Sequence, residues 1–369
     1  MSGEILAFIG TYTEAIRFGT GEIMQGKGQG IHTLYLDPQT GAMRAGPVTK
    51  GVINPSFLAL DTAQDHLYAV NELKSHGDVF GGTVSAFRLD RASGQLSFLN
   101  RQPSLGTDPC HVVVDDRAKV AIISNFMSGS VTLLPVAADG SLGAPSDFIQ
   151  HIGSGADPGR QAGPHAHAAT LDPQGPWVFV PDLGLDKLMI YRMDAARQML
   201  EPGPVPSVKM KPGAGPRHLA LHPGNRFGYL VNELNSTVSM LDLNREIGGF
   251  RYLGTVPTLP EGFSGHSTCA DIQVSPSGHA LYASNRGHDS IVSWQINAGT
   301  GLLGQPTWVS TGGRTPRAFG IEAGGRVLVA ANQDSDLLVS FLIDPVTGTL
   351  SATGHSLAMP TPVCVQFVR

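Results

Sequence analysis

The chain has 369 residues, including 46 glycines and 26 prolines, with 41% hydrophobic and only 15% charged residues. Such a composition, rich in turn formers but with enough apolar residues for a core, excludes a disordered chain. The 25 Lys and Arg residues are outnumbered by 30 Asp and Glu residues, so the net charge of −5 offers no basic surface for nucleic acid or an anionic membrane.

The N-terminal segment MSGEILAFIGTYTE lacks the basic residues and the long apolar core of a signal peptide. No stretch of the chain reaches the ~18 apolar residues of a membrane-spanning helix. We therefore expect a cytoplasmic protein that does not bind membranes. The three cysteines, Cys110, Cys269 and Cys364, are far apart and odd in number. This pattern predicts buried free thiols rather than disulfides or a thiolate metal site.

A unit of about fifty residues recurs along the chain. Each copy begins with a proline and an alternating apolar segment, passes through a polar turn, and ends its next apolar segment at an asparagine. The proline and the asparagine are 16 residues apart in four copies, which span residues 55–71, 109–125, 216–232 and 316–332. Two degenerate copies span 164–182 and 269–285. A seventh copy is split between PTPVCVQFV at the C-terminus and LAFIGTY at the N-terminus.

The units carry strand patterns and almost no helical periodicity. Segments such as LALHP, FGYLVN and TVSMLDL alternate or stay apolar for a few residues between Gly, Pro, Asn and Asp turns. About four short strands per unit, repeated seven times, are typical of an all-β, seven-bladed β-propeller. We predict a single propeller domain over residues 1–369. Its ring would be closed by pairing of the N- and C-terminal strands, so that no sheet edge stays open.

The order of strands in a blade assigns the loops to two faces. If the strands are named A (innermost) to D (outermost), the D-to-A and B-to-C connections lie at one end of an antiparallel blade and the remaining turns at the other. The A-to-B turns are ordinary hairpin sequences such as HPGNR and SPSGH, whereas the D-to-A and B-to-C segments carry His, Arg and Glu. We therefore predict the binding site at the channel mouth formed by these segments.

Five residues of this face are the candidate catalytic residues: His165, His167, Arg217, Glu233 and Arg286. The arginines would bind a carboxylate, a phosphate or a developing oxyanion, and Glu233 or a histidine would transfer a proton. The expected ligand is thus a small anionic molecule. Further candidates for substrate contact are Arg17, Glu72, His111, His218, His266, Asp271, His288, Arg317 and Gln333.

Other interpretations of the candidate residues stay open. His165 and His167 are two residues apart on an extended segment, so at most one of them faces the channel. Two histidines with Glu233 would also suit a divalent metal ion. We do not favour the metal ion, and we expect no other cofactor either, because lactone chemistry needs no redox cofactor and the chain has no GxGxxG or P-loop motif. Arg217 and Arg286 would alternatively form structural ion pairs, and pairing with Arg217 would lower the pKa of Glu233 and weaken it as a base. The asparagines that end the B strands are expected to be structural.

Several motifs extend over essentially the whole chain: GTYT, NPSFLALD, PCHVVVD, PHAHAATLDP, PRHLALHP with NELNSTV, YASNRGHDSI and ANQDSDLLVSF. Together they resemble the seven-bladed lactonase propellers, the family of propeller-type 6-phosphogluconolactonases and fungal carboxy-cis,cis-muconate cyclases. The resemblance implies a catalytic group of one His, one Glu and two Arg residues at the channel mouth. By motif these are His165 or His167 in PHAH, Arg217 in PRHL, Glu233 in NEL and Arg286 in SNRG.

One segment departs from the family pattern. Residues 14–29, EAIRFGTGEIMQGKGQ, are longer than the corresponding segment usually is in the family. As a B-to-C connection this segment is expected at the same mouth, where Arg17, Phe18, Met24 and Lys27 would form a lid. The motif GHSTCAD similarly places His266 and Asp271 at the mouth, which adds a third candidate imidazole.

The sequence favours a lactonase, a carboxylic ester hydrolase of carbohydrate metabolism that would open a small anionic sugar lactone such as 6-phosphogluconolactone or another aldonolactone. One alternative is a cycloisomerase that closes a muconate-type diacid into a lactone. Another is a non-catalytic scaffold, which is a common use of repeat folds. A scaffold predicts an apolar mouth, whereas the loops here are polar and charged. A closed ring without open edges is compatible with a monomer.

Overall fold

Seven four-stranded antiparallel sheets make up most of the computed structural model, which describes residues 3–369. In six of these sheets the four strands follow one another along the chain. The sheets are the blades of a β-propeller, which confirms the predicted all-β, seven-bladed fold. Residues 1–2 of the predicted domain lie outside the described residues.

The first four blades, each given from strand A at the channel to strand D outside, have the following bounds. Blade 1 consists of Pro362–Phe367, Ile5–Thr11, Gly30–Leu36 and Met43–Lys50. Blade 2 consists of Leu58–Leu60, His66–Asn71, Thr83–Asp90 and Gln95–Pro103. Blade 3 consists of Pro109–Asp115, Val120–Asn125, Ser130–Pro135 and Asp147–Gln150. Blade 4 consists of Thr170–Leu171, Trp177–Asp182, Lys187–Asp194 and Met199–Lys209.

The remaining blades follow the same plan. Blade 5 consists of Pro216–Leu221, Phe227–Asn232, Thr237–Asn244 and Gly249–Pro257. Blade 6 consists of Thr268–Val274, Ala280–Arg286, Ser290–Gln295 and Thr307–Ser310. Blade 7 consists of Pro316–Ile321, Val327–Asn332, Leu337–Ile343 and Leu350–Ala358. Two small hairpins lie in B-to-C connections, Ile16–Arg17 with Ile23–Met24 and Ser75–His76 with Val79–Phe80. A single 3-10 turn, Gln333–Ser335, is the only helix among residues 3–369.

The blades form a closed ring. The A strand of each blade contacts the A strands of the blades before and after it, all the way around the channel. In blade 1 the C-terminal strand Pro362–Phe367 is the innermost strand, and it pairs with Ile5–Thr11 in a register that sets Ala7 opposite Phe367 and Ile9 opposite Val365. The predicted closure by the two ends of the chain is thereby confirmed.

The core is divided among the contacts between blades. Each of seven buried apolar clusters draws its residues from two neighbouring blades, and the seven clusters cover all seven contacts. Between blades 3 and 4, for example, Val120 and Ile122 pack with Val178 and Val180. Burial of such a side chain contributes about 1.5–3 kcal/mol, so each blade depends on both neighbours for its stability.

Asparagine side chains attach the D-to-A connections to the ends of the B strands. The Nδ2 atoms of Asn71, Asn125, Asn285 and Asn332 each donate a hydrogen bond to a backbone carbonyl of the connection, at distances of 2.7 to 3.2 Å. These bonds explain why the asparagine recurs in the sequence. In the described part of the chain, no helix has the length and apolar character needed to cross a membrane.

Candidate active site

A pocket of about 290 Å³ lies at the channel mouth that is formed by the D-to-A and B-to-C connections. Its volume is close to the lower end of the range usual for small-molecule sites, roughly 300 Å³. Of the residues predicted from sequence, eight line this pocket: Arg17, Glu72, His167, Glu233, His266, Arg286, Arg317 and Gln333. The opposite mouth carries the A-to-B turns and a separate cavity that includes Asp61 and Thr62.

β-Bulges at the start of the A strands place side chains at this mouth. In three blades the residue after the first proline of strand A has no partner on strand B, because the register shifts there by one residue. The extra residues are Cys110, Arg217 and Arg317. A bulge of this kind changes the direction in which a side chain points and is common next to active sites. The repeated Pro-x start of strand A is therefore what presents these groups to the channel.

Three guanidinium groups converge on the carboxylate of Glu233. Arg160 lies 2.7 Å from Oε1, while Arg217 and Arg286 lie 3.1 and 2.9 Å from Oε2. The Glu233 side chain is only 7% exposed. Burial alone would raise the pKa of Glu233, but the three positive charges outweigh it and hold this pKa well below its usual range. Glu233 is therefore a permanent anion that orients arginines, and it is poorly suited to accept a proton.

Arg217 lies beneath the pocket rather than in its wall. Its Nη1 donates to the carbonyl oxygen of Ala270 at 2.6 Å, and its Nε donates to Glu233. Burial, reinforced by the charges of Arg286 and Arg317, lowers the pKa of Arg217 to about 10, so the group stays protonated at neutral pH. Arg217 thus supports Glu233 from below, whereas Arg160 and Arg286 line the pocket.

The two histidines of the PHAH motif occupy different environments. His167 lines the pocket, with its ring edge-on to Phe126 at 5.1 Å and its Nδ1 3.7 Å from the sulfur of Cys110. Burial and the neighbouring Arg217 hold the pKa of His167 well below its ordinary value, so its imidazole is neutral at neutral pH. His165 stacks on Phe126 at 4.7 Å, and its Nδ1 lies 2.9 Å from the Phe126 carbonyl oxygen.

A buried network holds the segment that carries His167. Asp182 occupies the position where other blades have asparagine, and its Oδ1 accepts hydrogen bonds from the backbone N–H of His165 at 2.8 Å and of Leu185 at 3.0 Å. Its Oδ2 lies 2.5 Å from Nδ1 of His151, whose Nε2 lies 2.8 Å from the Tyr191 hydroxyl. This network fixes residues 164–169, which form only an isolated bridge to strand B before Thr170.

Glu72, Tyr12 and Arg317 form a second polar group in the pocket. The Tyr12 hydroxyl donates to Oε2 of Glu72 at 2.9 Å. The guanidinium carbon of Arg317 lies 5.5 Å from the ring centre of Tyr12 and 5.3 Å from that of Phe18, which is cation–π geometry. Burial raises the pKa of Glu72, an effect that the charge of Arg317 opposes. The environment of Glu72 therefore raises its pKa, whereas the environment of Glu233 lowers its pKa.

The segment 14–29 forms a hairpin over this part of the mouth. Phe18 and Met24 pack against Tyr12, Ile16 and Val363, and the residues of the hairpin that line the pocket include Arg17, Phe18 and Met24. The segment thus lies where the sequence predicted it. Lys27, which was expected with them, is instead 2.6 Å from Asp336 in an exposed ion pair.

The structure places four predicted contact residues away from the pocket. His111 lines the cavity at the other mouth, because the bulge turns Cys110 rather than His111 toward the site. His218 is partly buried and does not line the pocket, and its Nδ1 lies 3.1 Å from Oδ1 of Asp271. Asp271 also accepts the backbone N–H of Phe319, so its oxygens are used within the channel wall. The fourth residue, His288, packs edge-on against Phe263 at 4.8 Å.

Arg160 is the main residue that the sequence prediction missed. It lies in the long D-to-A connection between blades 3 and 4, outside the recurring Pro-to-Asn unit, so no repeat marked it. The one feature of the sequence that could have identified Arg160 as a site residue is its position in a D-to-A connection, since those connections were predicted to form the pocket mouth. Within residues 3–369 the structure brings together no group of three or more His, Cys, Asp or Glu residues suited to a metal ion.

Comparison with known proteins relates the whole chain to one family. The family model described as "Lactonase, 7-bladed beta-propeller" matches residues 6–367. A protein of Bacillus subtilis (strain 168) named 6-phosphogluconolactonase is 35% identical over 364 residues, which cover 99% of this chain and 98% of the relative. A Formosa agariphila protein of the same name is 31% identical over 324 residues, covering 86% of this chain and 87% of the relative.

A solved structure agrees with this relationship. The periplasmic gluconolactonase of Pseudomonas aeruginosa superimposes with a TM-score of 0.90 at 32% identity, and the match covers 100% of this chain and 99% of the other. Of the three relatives, two are thus named for a phosphorylated lactone and one for gluconolactone.

Proposed function

Since the chain belongs to the family of seven-bladed β-propeller lactonases, we propose that it hydrolyses a small anionic sugar lactone in the pocket at the channel mouth. As a family member the protein is a lactonase, that is, a carboxylic ester hydrolase. The observation that carries the assignment of the site is the convergence of Arg160, Arg217 and Arg286 on the buried carboxylate of Glu233. The names of the relatives favour hydrolysis over cyclisation of a diacid.

In this proposal Arg286 binds the lactone carbonyl oxygen. Its Nη2 is fixed by the Cys269 carbonyl at 2.9 Å and by Glu233 at 2.9 Å, and its side chain is still 16% exposed, toward the pocket. When water adds to the carbonyl carbon, negative charge develops on this oxygen. A guanidinium that is already oriented stabilises such charge without reorganisation, an effect on the order of 3 kcal/mol.

His167 serves as the general base. Its neutral imidazole accepts a proton from water as the oxygen of that water bonds to the carbonyl carbon. The proton then passes to the ring oxygen as the bond between that oxygen and the carbonyl carbon breaks, giving a hydroxy acid. Glu233 is excluded from this role because three arginines hold its pKa so far below the usual range that its carboxylate is a weak proton acceptor. It acts by positioning Arg286 and Arg160.

A pH-indicator assay of purified protein tests the proposal. The substrates are 6-phosphogluconolactone and glucono-lactone, and the variants are R286M and H167Q, with R226M and H222Q as controls on the blades away from the pocket. We expect wild-type protein to release protons faster than spontaneous hydrolysis, and R286M and H167Q to lose about 100-fold or more in kcat. Wild-type kcat/KM should stay constant through the ordinary titration range of histidine and fall only at more acidic pH, because burial and the charge of Arg217 hold the pKa of His167 well below its ordinary value. Equal rates with and without enzyme would exclude the function.

A further inference from the structure

Five arginines lie in or next to the pocket: the exposed Arg17 of the 14–29 hairpin and four others, which fall into two groups. Arg160, Arg217 and Arg286 all contact Glu233. Arg317, on the A-strand bulge of blade 7, also lines the pocket, but its guanidinium donates no hydrogen bond and forms no ion pair with any residue of the described chain, 3–369. Burial alone would lower the pKa of Arg317, but the nearby Tyr12, Glu72 and Glu233 raise it, so the guanidinium is charged without being hydrogen-bonded to any of these groups. The geometry therefore requires a separate explanation for Arg317.

The surroundings of Arg317 leave its charge available to a ligand. The rings of Tyr12 and Phe18 lie against the guanidinium and remove water from it. Glu72, which also lines the pocket, accepts the Tyr12 hydroxyl at its Oε2 and forms no hydrogen bond with Arg317. Asp334 is likewise engaged, since its Oδ1 accepts from Gln333 and its Oδ2 from Thr315. Arg317 thus lines the pocket with hydrogen-bond donors that have no acceptor within residues 3–369.

We propose that Arg317, flanked by Tyr12 and Phe18, is the subsite for an anionic substituent, a phosphate or a carboxylate, that the lactone carries away from its carbonyl group. This rests on the proposed function, which places the carbonyl at Arg286. The fork of a guanidinium matches two oxygens of either anion. Arg17, an exposed arginine of the 14–29 hairpin that lines the same pocket, adds positive charge at its rim.

The hairpin determines specificity under this proposal. Phe18 is the only one of the three subsite side chains that lies in the segment 14–29, and its ring centre lies 5.3 Å from the guanidinium carbon of Arg317 and 5.9 Å from the ring centre of Tyr12. Without this ring, water would compete for the donors of Arg317. The length of the 14–29 segment is thus connected to the choice of substrate.

The test compares three lactones that differ in charge: 6-phosphogluconolactone, glucono-lactone and a glucaro-lactone, whose second carboxylate replaces the phosphate. The variants are R317M, R317K and, as a matched control, R314M. Arg314 is exposed at the same face, where it donates to the Asp334 carbonyl, and it does not line the pocket. We expect R317M to lower kcat/KM for an anionic lactone by about tenfold or more relative to glucono-lactone. R317K should restore part of this preference, and R314M should keep it.

A binding measurement separates failure of the subsite from failure of the proposed function. Calorimetric titration with inorganic phosphate, 6-phosphogluconate and gluconate requires no turnover. Phosphate or 6-phosphogluconate binding that weakens about tenfold in R317M but not in R314M supports the subsite, even if no lactone is hydrolysed. An unchanged preference among the three lactones in R317M, together with unchanged anion binding, overturns it while leaving hydrolysis by the wild type intact. A preference for the glucaro-lactone would identify the substituent as a carboxylate.

Discussion

At the scale of single residues, Glu233 is better suited to binding arginines than to accepting a proton, the role that a carboxylate in a pocket suggests. The sequence offered it as a proton acceptor, with the alternative that an ion pair would weaken it. In the structure three arginines surround the Glu233 carboxylate, and its negative charge holds their guanidinium groups in place. The proposed mechanism therefore assigns the proton transfer to the neutral imidazole of His167, which lines the same pocket.

Replacement of Glu233 by glutamine should be strongly destabilising, because it leaves Arg160, Arg217 and Arg286 without their common counter-ion. We expect E233Q to lower the free energy of unfolding by about 3 kcal/mol at neutral pH. Because the pKa of Glu233 is lower in the folded protein than in the unfolded chain, its contribution is complete above the ordinary value of about 4.3 and is lost as the pH falls through the folded pKa.

Urea unfolding at neutral and at acidic pH measures this effect. The difference between wild type and E233Q should shrink in acid. E246Q, which alters an exposed glutamate in the turn after blade 5 strand C, provides the control. If E233Q were as stable as E246Q at neutral pH, the arginine cluster would not depend on Glu233.

The sequence predicted some site residues and not others for a physical reason. Glu233 and Arg286 each follow the asparagine of a repeat directly, and Arg317 follows the proline of another. Because these positions recur at the same end of each blade, the alignment of the repeats predicted all three residues at one mouth. Whether a side chain points into the pocket depends on the bulge. For that reason sequence reasoning could not tell that Cys110, rather than His111, faces the site.

Blade 4 differs from the others at the scale of the element. Its proline and its B-strand terminal residue are 18 rather than 16 residues apart, and the extra residues fall in the segment that carries His167. Only Thr170–Leu171 pairs as strand A. The spacing was visible in the sequence, but the role of Asp182 as the anchor was not, since its partner His151 comes from the preceding connection.

Truncation of Asp182 should affect catalysis as well as stability. D182A removes the acceptor for His165 N–H, Leu185 N–H and the His151 ring, and each lost buried bond costs about 1 kcal/mol or more. Since the freed segment carries His167, we also expect kcat to fall about tenfold or more at temperatures well below the unfolding midpoint.

The corresponding change in blade 3 is a matched control for D182A. N125A removes a buried side chain at the same position, with bonds to Ser104 O, Ser130 and Thr132, but the connection that Asn125 anchors carries none of the proposed catalytic residues. Thermal unfolding and kcat should be measured for both variants. Equal losses of kcat at equal losses of stability would contradict a positioning role for Asp182.

At the scale of the whole molecule, the fold was predictable because repetition multiplies a weak signal. No single short strand pattern in this chain identifies a propeller. Seven copies of the repeat unit, one of them divided between the N- and C-terminal segments, are compatible with few architectures other than a closed ring of blades. Stability is likewise distributed, since each apolar cluster joins two neighbouring blades. Strand Pro362–Phe367 takes part in two of these clusters, with Val365 and Phe367 facing blade 7 and Cys364 facing blade 2.

Removal of residues 362–369 should therefore destroy cooperative unfolding. It exposes the inner edge of Ile5–Thr11 and opens both clusters at once, and an open strand edge promotes association. Calorimetry and light scattering should show no sharp transition and a mass above the monomer, whereas removal of Arg369 alone should change little. A truncated chain with a sharp transition would mean that the other six blades are stable without closure.

The pairing of Ile5–Thr11 with Pro362–Phe367 also determines the order of events during synthesis. Among the strands of the seven blades, Ile5–Thr11 is synthesised first and pairs with Pro362–Phe367, which is synthesised last, whereas blades 2 to 7 each consist of strands that are close together in the sequence. Closing a loop of nearly the whole chain is entropically expensive, and contacts so distant in sequence form slowly. Ring closure is thus expected to be the late and rate-limiting step, during which a nascent chain with an unpaired strand depends on dilution or on chaperones to avoid aggregation.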